Sequence, residues 1–245
     1  MKRFGEAEDP RRRLLLQALA AGVFSAGVPG GRVQAQIFGR SPTKLPPGQS
    51  IYRLVGDATV NGSAATMQTR IGPDDTVETG SGGEIVFAVG ENAFILRDRS
   101  RVTLEAAVQK DSFLLSGMRL LTGALLSVFP TRGQRTRVTT ATATIGIRGT
   151  GFYLESDPEQ TYFCTCYGTV EVESNKDTES KETVVSLRHD RPLYIVADAK
   201  PGESIRNAPF VNHTDQELML IETLVGRTPP YVFPRDSYRA PRREY

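Results

Sequence analysis

Polar and apolar residues alternate with a period of two along the stretch from Thr139 to Val172. One face of its first half holds Ala141, Ala143, Ile145 and Ile147, and the other holds Thr142, Thr144, Arg148 and Thr150. Because successive side chains of a β-strand point to opposite faces, this pattern predicts a strand. Asp157-Pro158-Glu159 predicts a turn, and a second strand follows from Tyr162 to Glu173.

Shorter alternating runs, separated by turn residues, fill much of the remaining chain. They predict strands at 51–60, 64–70, 76–79, 84–89, 93–96, 101–104, 112–115, 119–129, 183–188 and 193–196. Asn61-Gly62 is the strongest hairpin signal among the turns. The run 120–126 is apolar enough that periodicity alone leaves a short helix open as an alternative. We therefore predict an all-β fold, either a β-sandwich or a β-solenoid-like roll.

One segment near the C-terminus has helical periodicity instead. Thr214 and Glu217 form a capping box, in which each side chain accepts a hydrogen bond from the other residue's backbone amide. Apolar residues then recur at helical spacing up to Val225, and Gly226 ends the run. This predicts one C-terminal α-helix at about residues 215–225, which either covers a face or edge of the β-domain or presents its apolar stripe to another protein.

The N-terminus has the pattern of an export signal. Three arginines at 11–13 precede the apolar run 14–28, and Val33-Gln34-Ala35 ends in the small residue typical of a cleavage site. The apolar run is shorter than the stretch of about 20 residues that a membrane-spanning helix needs. We expect cleavage near Ala35 after export by the Sec or the twin-arginine route, a periplasmic location, and no transmembrane span in the mature chain.

Removing this leader changes the charge of the protein. The first 35 residues hold six basic and three acidic side chains, so the formal charge changes from +2 for the whole chain to −1 for the remainder. Nucleic acid is therefore not an expected partner. The predicted organisation is an export signal at 1–35, an extended lead-in at 36–50, a β-domain at 51–200, a C-terminal segment with the helix at 201–234, and a basic tail at 235–245.

The central stretch resembles a known family. The run from Ala143 to Phe152, which reads ATIGIRGTGF, is followed by a strand containing Tyr167-Gly-Thr-Val170, and together they look like the signature of the FecR periplasmic domain. The same family also explains the earlier runs 76–82, 100–104 and 121–125, whose order along the chain adds to the resemblance. The resemblance covers about residues 51–196. It implies a role in envelope signalling with an envelope or outer-membrane protein as partner. The ten residues before Arg11 offer no cytoplasmic domain, so we expect only the periplasmic half of that system.

Two cysteines and two histidines are the chain's complete set of these residue types. Cys164 and Cys166 should lie on one face of a strand, about 6.6 Å apart along the backbone. They can be core residues, a strained disulfide, or metal or redox ligands. With His189 and His213 they would supply the ligands of a tetrahedral Zn²⁺ or Cu⁺ site, and the sequence indicates no other cofactor.

Arg148 is the second candidate binding group. It stands between Gly146 and Gly149, where its guanidinium could meet a carboxylate or phosphate of a partner or ligand, and Thr150 and Tyr167 are the neighbouring candidates. An arginine at such a place can equally extend into water.

Motifs of hydrolases, phosphate-binding loops and zinc proteases are absent from the sequence, so we expect no enzyme. The predicted function is that of an exported, non-catalytic binding or signalling module. The alternative is a metal-binding or thiol redox module built on Cys164 and Cys166 with His189 and His213.

Overall fold

A computed structural model describes residues 42–107, 115–131 and 135–228. The chain forms fourteen strands and one helix in these ranges. They are β1 (Ile51–Val55), β2 (Ala58–Val60), β3 (Ser63–Ala64), β4 (Thr76–Thr79), β5 (Glu84–Val89), β6 (Asn92–Leu96), β7 (Arg101–Ala106), β8 (Leu115–Val128), β9 (Thr136–Thr139), β10 (Ala143–Ser156), β11 (Gln160–Ser174), β12 (Lys181–Ser186), β13 (Leu193–Val196), β14 (Ile205–Asn207) and α1 (Asp215–Leu224). The predicted all-β fold with one C-terminal helix is confirmed.

The hairpin predicted at Asn61-Gly62 joins β2 to β3. Both turn residues have positive φ, 51° and 78°, as a two-residue turn of this handedness requires. The strand predicted at 64–70 was too long, because pairing ends at Ala64. The chain then turns locally, with the backbone amide of Thr66 donating to the hydroxyl of Thr69.

The central strand also begins later than its alternation indicated. Thr140 and Ala143 close a turn, in which the amide of Thr140 donates to the carbonyl of Ala143 over 2.9 Å. This turn leaves Ala141 exposed and buries Thr142, the reverse of the prediction, whereas Ala143, Ile145 and Ile147 lie in the core as predicted.

All fourteen strands belong to one sheet. The order along its main path is β14-β13-β11-β10-β9-β8-β7-β4-β2-β3, while β12 pairs with β11, and β5 links β1 to β6, which pairs with β8. The run 120–126 lies within β8, so the helix alternative for it was wrong. The strand β14 was not predicted, because three residues give too little periodicity to detect.

Long strands change their partners midway along their length. The first half of β10 pairs with β9 and its second half with β8, and β11 pairs first with β13 and then with β12. Register shifts separate the two halves of β10, at Arg148 to Phe152. Gly149 and Gly168 stand opposite each other there with φ of 56° and 98°, a backbone shape that favours glycine.

Two apolar clusters result from this arrangement. The larger one draws on strands from β1 to β13 and, within the described ranges, contains no helical residue, so faces of the sheet cover one another around it. The smaller one lies on the opposite face of β5, β6, β8, β10 and β11, beneath α1. Strands β5 and β6 are buried on both faces for this reason, with Phe87 in the larger cluster and Val86 in the smaller.

Helix α1 covers the outer face of the sheet. Thr214 caps it, and both hydrogen bonds of the predicted capping box are present. Leu218, Ile221 and Leu224 are buried against the sheet, which confirms the covering role and rules out presentation of this stripe to another protein in this state. Within the described ranges no helix combines the length and apolar character needed to cross a membrane.

Several predictions fall outside the described residues. These are the export signal at 1–35, the first part of the lead-in, the strand at 112–115 apart from Leu115, and the basic tail at 235–245. The strand predicted at 183–188 is displaced to Lys181–Ser186, because Asp190 folds the following residues into a turn.

Candidate metal centre

The two cysteines enter the smaller cluster from β11. Cys164 and Cys166 are both fully buried on the face that lies beneath the C-terminal segment. Val170 and Val172 stand an even number of residues after the cysteines, which in a regular strand would put them on the same face, but they belong to the larger cluster. The irregular pairing around Gly168 exchanges the two faces of the strand, so the cysteines do not line the main core.

His189 reaches the cysteines from the turn after β12. Its φ of 53° lies in the left-handed region, where histidine is more tolerated than most side chains. Its backbone amide donates to the carbonyl of Cys166 over 3.0 Å, and the carboxylate of Asp190 accepts the amides of Leu187 and Arg188. The hydroxyl of Ser186 also donates to this carboxylate, over 3.3 Å, so Asp190 orders the backbone of the turn.

His213 arrives from the other side, immediately before the N-cap of α1. Its ring stacks on Tyr153 with 4.6 Å between centroids and an interplanar angle of 17°. The half-exposed ring of Phe210 packs against both histidines, with centroid distances of 4.5 Å to His189 and 4.6 Å to His213. Aromatic packing therefore holds the two imidazoles in place.

The structure brings the four predicted ligands together. One ligand atom from each of Cys164, Cys166, His189 and His213 lies within 4.8 Å of all the others, and we call this group the Cys2His2 centre. The Nδ1 of His189 is 3.1 Å from the Nε2 of His213 and 3.7 Å from the Sγ of Cys164. Tetrahedral zinc bonds of about 2.0 Å to nitrogen and about 2.3 Å to sulfur would place two nitrogens about 3.3 Å apart and nitrogen and sulfur about 3.5 Å apart.

The outer nitrogen of each imidazole has an acceptor. The Nε2 of His189 lies 2.9 Å from a carboxylate oxygen of Asp215, and the Nδ1 of His213 lies 2.7 Å from the carbonyl of Val211. Both outer nitrogens then carry hydrogen, so in two neutral rings the inner nitrogens face each other as acceptors with mutual repulsion. An inner nitrogen donates to Cys164 only when its ring is protonated. A cation or a proton between them relieves this repulsion, and outer hydrogen bonds of this kind are usual for metal-bound histidines.

Electrostatics favour an ionised thiol in the centre. The hydrogen bond from Cys166, followed by those from His189 and His213, lowers the pKa of Cys164 to about 4 against the opposing effect of burial. Burial and the neighbouring Cys164 raise the pKa of Cys166. Although burial lowers the pKa of His189, its hydrogen bonds to Cys164 and Asp215 raise it overall. A thiolate is the form of cysteine that binds a metal ion.

Both cysteines are free thiols in the structure, with no disulfide between them. The sequence singled out the four candidate ligands that meet here but gave no sign of the groups that orient them, Asp215, the Val211 carbonyl and Tyr153. The only local signal for Asp215 was its position in the first helical turn after Thr214, where an acidic residue is already explained by the helix dipole.

The three other candidate binding residues do not form one site. Arg148 is exposed on β10, whereas Thr150 is fully buried. The hydroxyl of Tyr167 donates to the buried carboxylate of Glu222 and thereby ties β11 to α1. Of the three, only Arg148 is open to solvent in this structure.

Comparison with known proteins gives a family for the central strands. The family described as FecR protein matches residues 75–171, which include β4 to most of β11. No curated protein matches the chain.

The solved structures that match include two that are both described as a "putative anti-sigma factor" from Parabacteroides distasonis. They share 14% and 15% sequence identity with this chain, at TM-scores of 0.42 and 0.41, and each alignment covers 54% of this chain and 58% of the other. The chain thus spans somewhat more than half the length of these structures. The match of residues 75–171, which include the run 143–152, confirms the predicted resemblance to the FecR family.

Proposed function

We propose that this protein is a non-catalytic regulatory module of the bacterial envelope that recognises a partner protein on its periplasmic side. The FecR family match of residues 75–171 carries this proposal, because that family is a regulatory, envelope-associated family and not one of enzymes. The export signal predicted at residues 1–35 supports the location.

The edge of the sheet at β12 offers a surface for such a partner. Val185 and Leu187 are 67% and 80% exposed there, and Phe210 is half exposed beside the Cys2His2 centre. Large apolar side chains in such positions are typical of contact surfaces, and an extended segment of a partner can pair with an edge strand. Arg148, on β10, is a charged contact candidate elsewhere on the sheet.

Recovery of the tagged chain from its own cells after cross-linking tests the regulatory proposal. We expect an envelope protein to be recovered with the native chain and lost from a Val185→Lys, Leu187→Lys variant that keeps its thermal stability. Arg148→Ala serves as the matched test of the second candidate surface. Recovery of the same proteins from the native chain and from both variants would contradict partner binding through these surfaces.

The Cys2His2 centre favours a second candidate function, that of a metal-binding module. Thiolates and imidazoles together suit Zn²⁺ or Cu⁺, and two thiolates neutralise the charge of Zn²⁺ in a buried site. The alternative, a thiol redox module, has less support because both sulfurs are buried and the spacing of two residues along a strand strains a disulfide.

Metal titration of the full chain under reducing conditions tests this candidate. We expect one Zn²⁺ or Cu⁺ per chain, and with Co²⁺ the absorption bands of tetrahedral thiolate coordination. The pair Cys164→Ser, Cys166→Ser should abolish binding. Thr165→Val is the matched control on the same strand, since its buried hydroxyl has no hydrogen-bond partner among the described residues. Free thiols and a metal content near zero in the native chain would remove the metal function.

A further inference from the structure

The Cys2His2 centre joins two parts of the molecule. Cys164 and Cys166 belong to the sheet, whereas His213 belongs to residues 208–214, which we call the strap and which connect β14 to α1. A metal ion held by all four ligands would therefore be a link between the strap and the sheet. This inference rests on the metal-binding function proposed above.

The strap lies across the outer face of the sheet without belonging to a strand. The hydroxyl of Tyr162 donates to the carbonyl of Pro209 over 3.0 Å and accepts from the amide of Val211 over 3.3 Å. The side chain of Asn212 donates to Glu155 over 2.7 Å. The backbone amide of Ala208 also donates to the carbonyl of Pro192 over 2.8 Å, and Arg97 donates to the carbonyl of Asn212 over 3.4 Å. Isolated hydrogen bonds of this kind hold a segment less firmly than the continuous ladder of a β-strand does.

The strap covers two buried tyrosine side chains of the sheet. Tyr153 and Tyr162 are each only 2% exposed beneath it, and both belong to the smaller apolar cluster. Asn212, immediately before His213, has a φ of 62°, a left-handed conformation that asparagine adopts more readily than most side chains. In the closed strap, the inner ring nitrogens of His189 and His213 approach each other to 3.1 Å.

Helix α1 has a separate anchor that does not involve the centre. Arg97 forms a buried ion pair with Glu217 at 2.6 Å, and Leu218 and Ile221 pack on the sheet. Loss of the metal should therefore release the strap while the helix stays docked.

We propose that metal binding at the Cys2His2 centre fastens the strap over the sheet, so that metal occupancy decides whether the face around Tyr153 and Tyr162 is covered. The ion acts as a bond between His213 and the cysteines. Without the ion, only isolated hydrogen bonds and the packing of His213 on Tyr153 hold the strap, so the strap opens more readily.

Hydrogen–deuterium exchange of the full chain, with and without Zn²⁺ or Cu⁺, tests the proposal. We expect exchange of the amides at 208–214 to slow by about tenfold or more when metal binds, whereas the amides of α1 and β5 change little. The chain has no tryptophan, so Phe210→Trp places a single tryptophan on the strap. Quenching of the tryptophan fluorescence by a soluble quencher should decrease when metal binds.

The variant His213→Ala separates metal binding from fastening. Cys164, Cys166 and His189 remain to bind the ion, more weakly, but the ion can no longer hold the strap. At metal concentrations that saturate this variant, exchange at 208–214 should stay fast. If the native chain binds metal and its strap exchanges at the same rate as without metal, or if His213→Ala still shows the slowing, the fastening proposal is overturned while the metal site stands. If no metal binds, the proposed metal function itself fails.

Discussion

At the scale of single residues, Gly168 in β11 and Gly62 in the turn between β2 and β3 both have positive φ, but their surroundings differ. A Cβ on Gly168 would lie 2.4 Å from Thr150 Cγ2 and 2.7 Å from the carbonyl oxygen of Gly149, whereas a Cβ on Gly62 would meet nothing within 4 Å. Backbone strain is common to both positions, but only Gly168 adds a clash in the packed interior.

We therefore expect Gly168→Ala to lower the free energy of unfolding by about 3 kcal/mol and Gly62→Ala by about 1 kcal/mol. Urea denaturation of the two variants beside the native chain measures the difference. Equal losses would mean that positive φ alone, and not the close approach of β10, requires glycine at position 168.

Asp177 is a second residue whose role follows from its immediate contacts. Its carboxylate accepts hydrogen bonds from the hydroxyl of Ser180 and the amide of Gly202, which joins the tip of the β11–β12 hairpin to a distant loop. The hydrogen bond from Ser180, with smaller contributions from Ser204 and Gly202, lowers the pKa of Asp177 from 3.8 to about 2.

A lowered pKa in the folded state means that the ionised carboxylate stabilises the fold. This stabilisation is present above pH 3.8 and is lost as the pH falls through about 2. Asp177→Asn should therefore be less stable than the native chain at pH 6, and the difference should shrink toward pH 2. Denaturation midpoints measured across that range test this, and a difference independent of pH would contradict it.

At the scale of elements, Arg97 connects α1 to the sheet. Its guanidinium lies 3.1 Å from Glu84 on β5 and 2.6 Å from Glu217 on α1, and all three side chains are at most 6% exposed. Removal of the positive charge would leave two carboxylates buried, with Arg53 remaining as a partner for Glu84 at 3.2 Å.

We expect Arg97→Met to lower the free energy of unfolding by about 3–5 kcal/mol, because an uncompensated buried charge is costly. The matched control is Lys181→Met, which breaks an ion pair with Glu173 whose side chains are about half exposed and should cost less than about 1 kcal/mol. Adding Glu217→Gln to Arg97→Met should recover part of the loss. Comparable losses from Arg97→Met and Lys181→Met would show that α1 is held by its apolar face alone.

At the scale of the whole molecule, metal binding to the folded state should raise stability by mass action. Zn²⁺ at 100 times its dissociation constant is expected to add about 2.7 kcal/mol to the free energy of unfolding. Thermal unfolding of the native chain should therefore shift upward with zinc concentration, and that of Cys164→Ser, Cys166→Ser should not. An identical shift in both proteins would place the ion elsewhere.

Local signals in the sequence were enough for much of the fold. The bounds of β4, β5 and β13 match the predicted runs, the Asn61-Gly62 hairpin forms, and the capping box begins α1. These features depend on residues within a few positions of one another, through side-chain alternation, turn conformation and capping hydrogen bonds. The strand predicted at 64–70 forms only at Ala64. The residues after it have no partner strand to pair with and make local turn contacts instead.

By itself, the sequence determined the type of most elements and the inventory of candidate ligands, because both follow from residue identity and short-range spacing. The tertiary structure decided which faces those elements bury and which ligands meet. The change of face at Gly168 needs the opposing bend at Gly149, and the convergence of Cys164 with His189 and His213 needs β12, the strap and α1 to fold onto one side of β11. Contacts across 24 to 26 residues or more depend on the path of the chain in space, which no local pattern records.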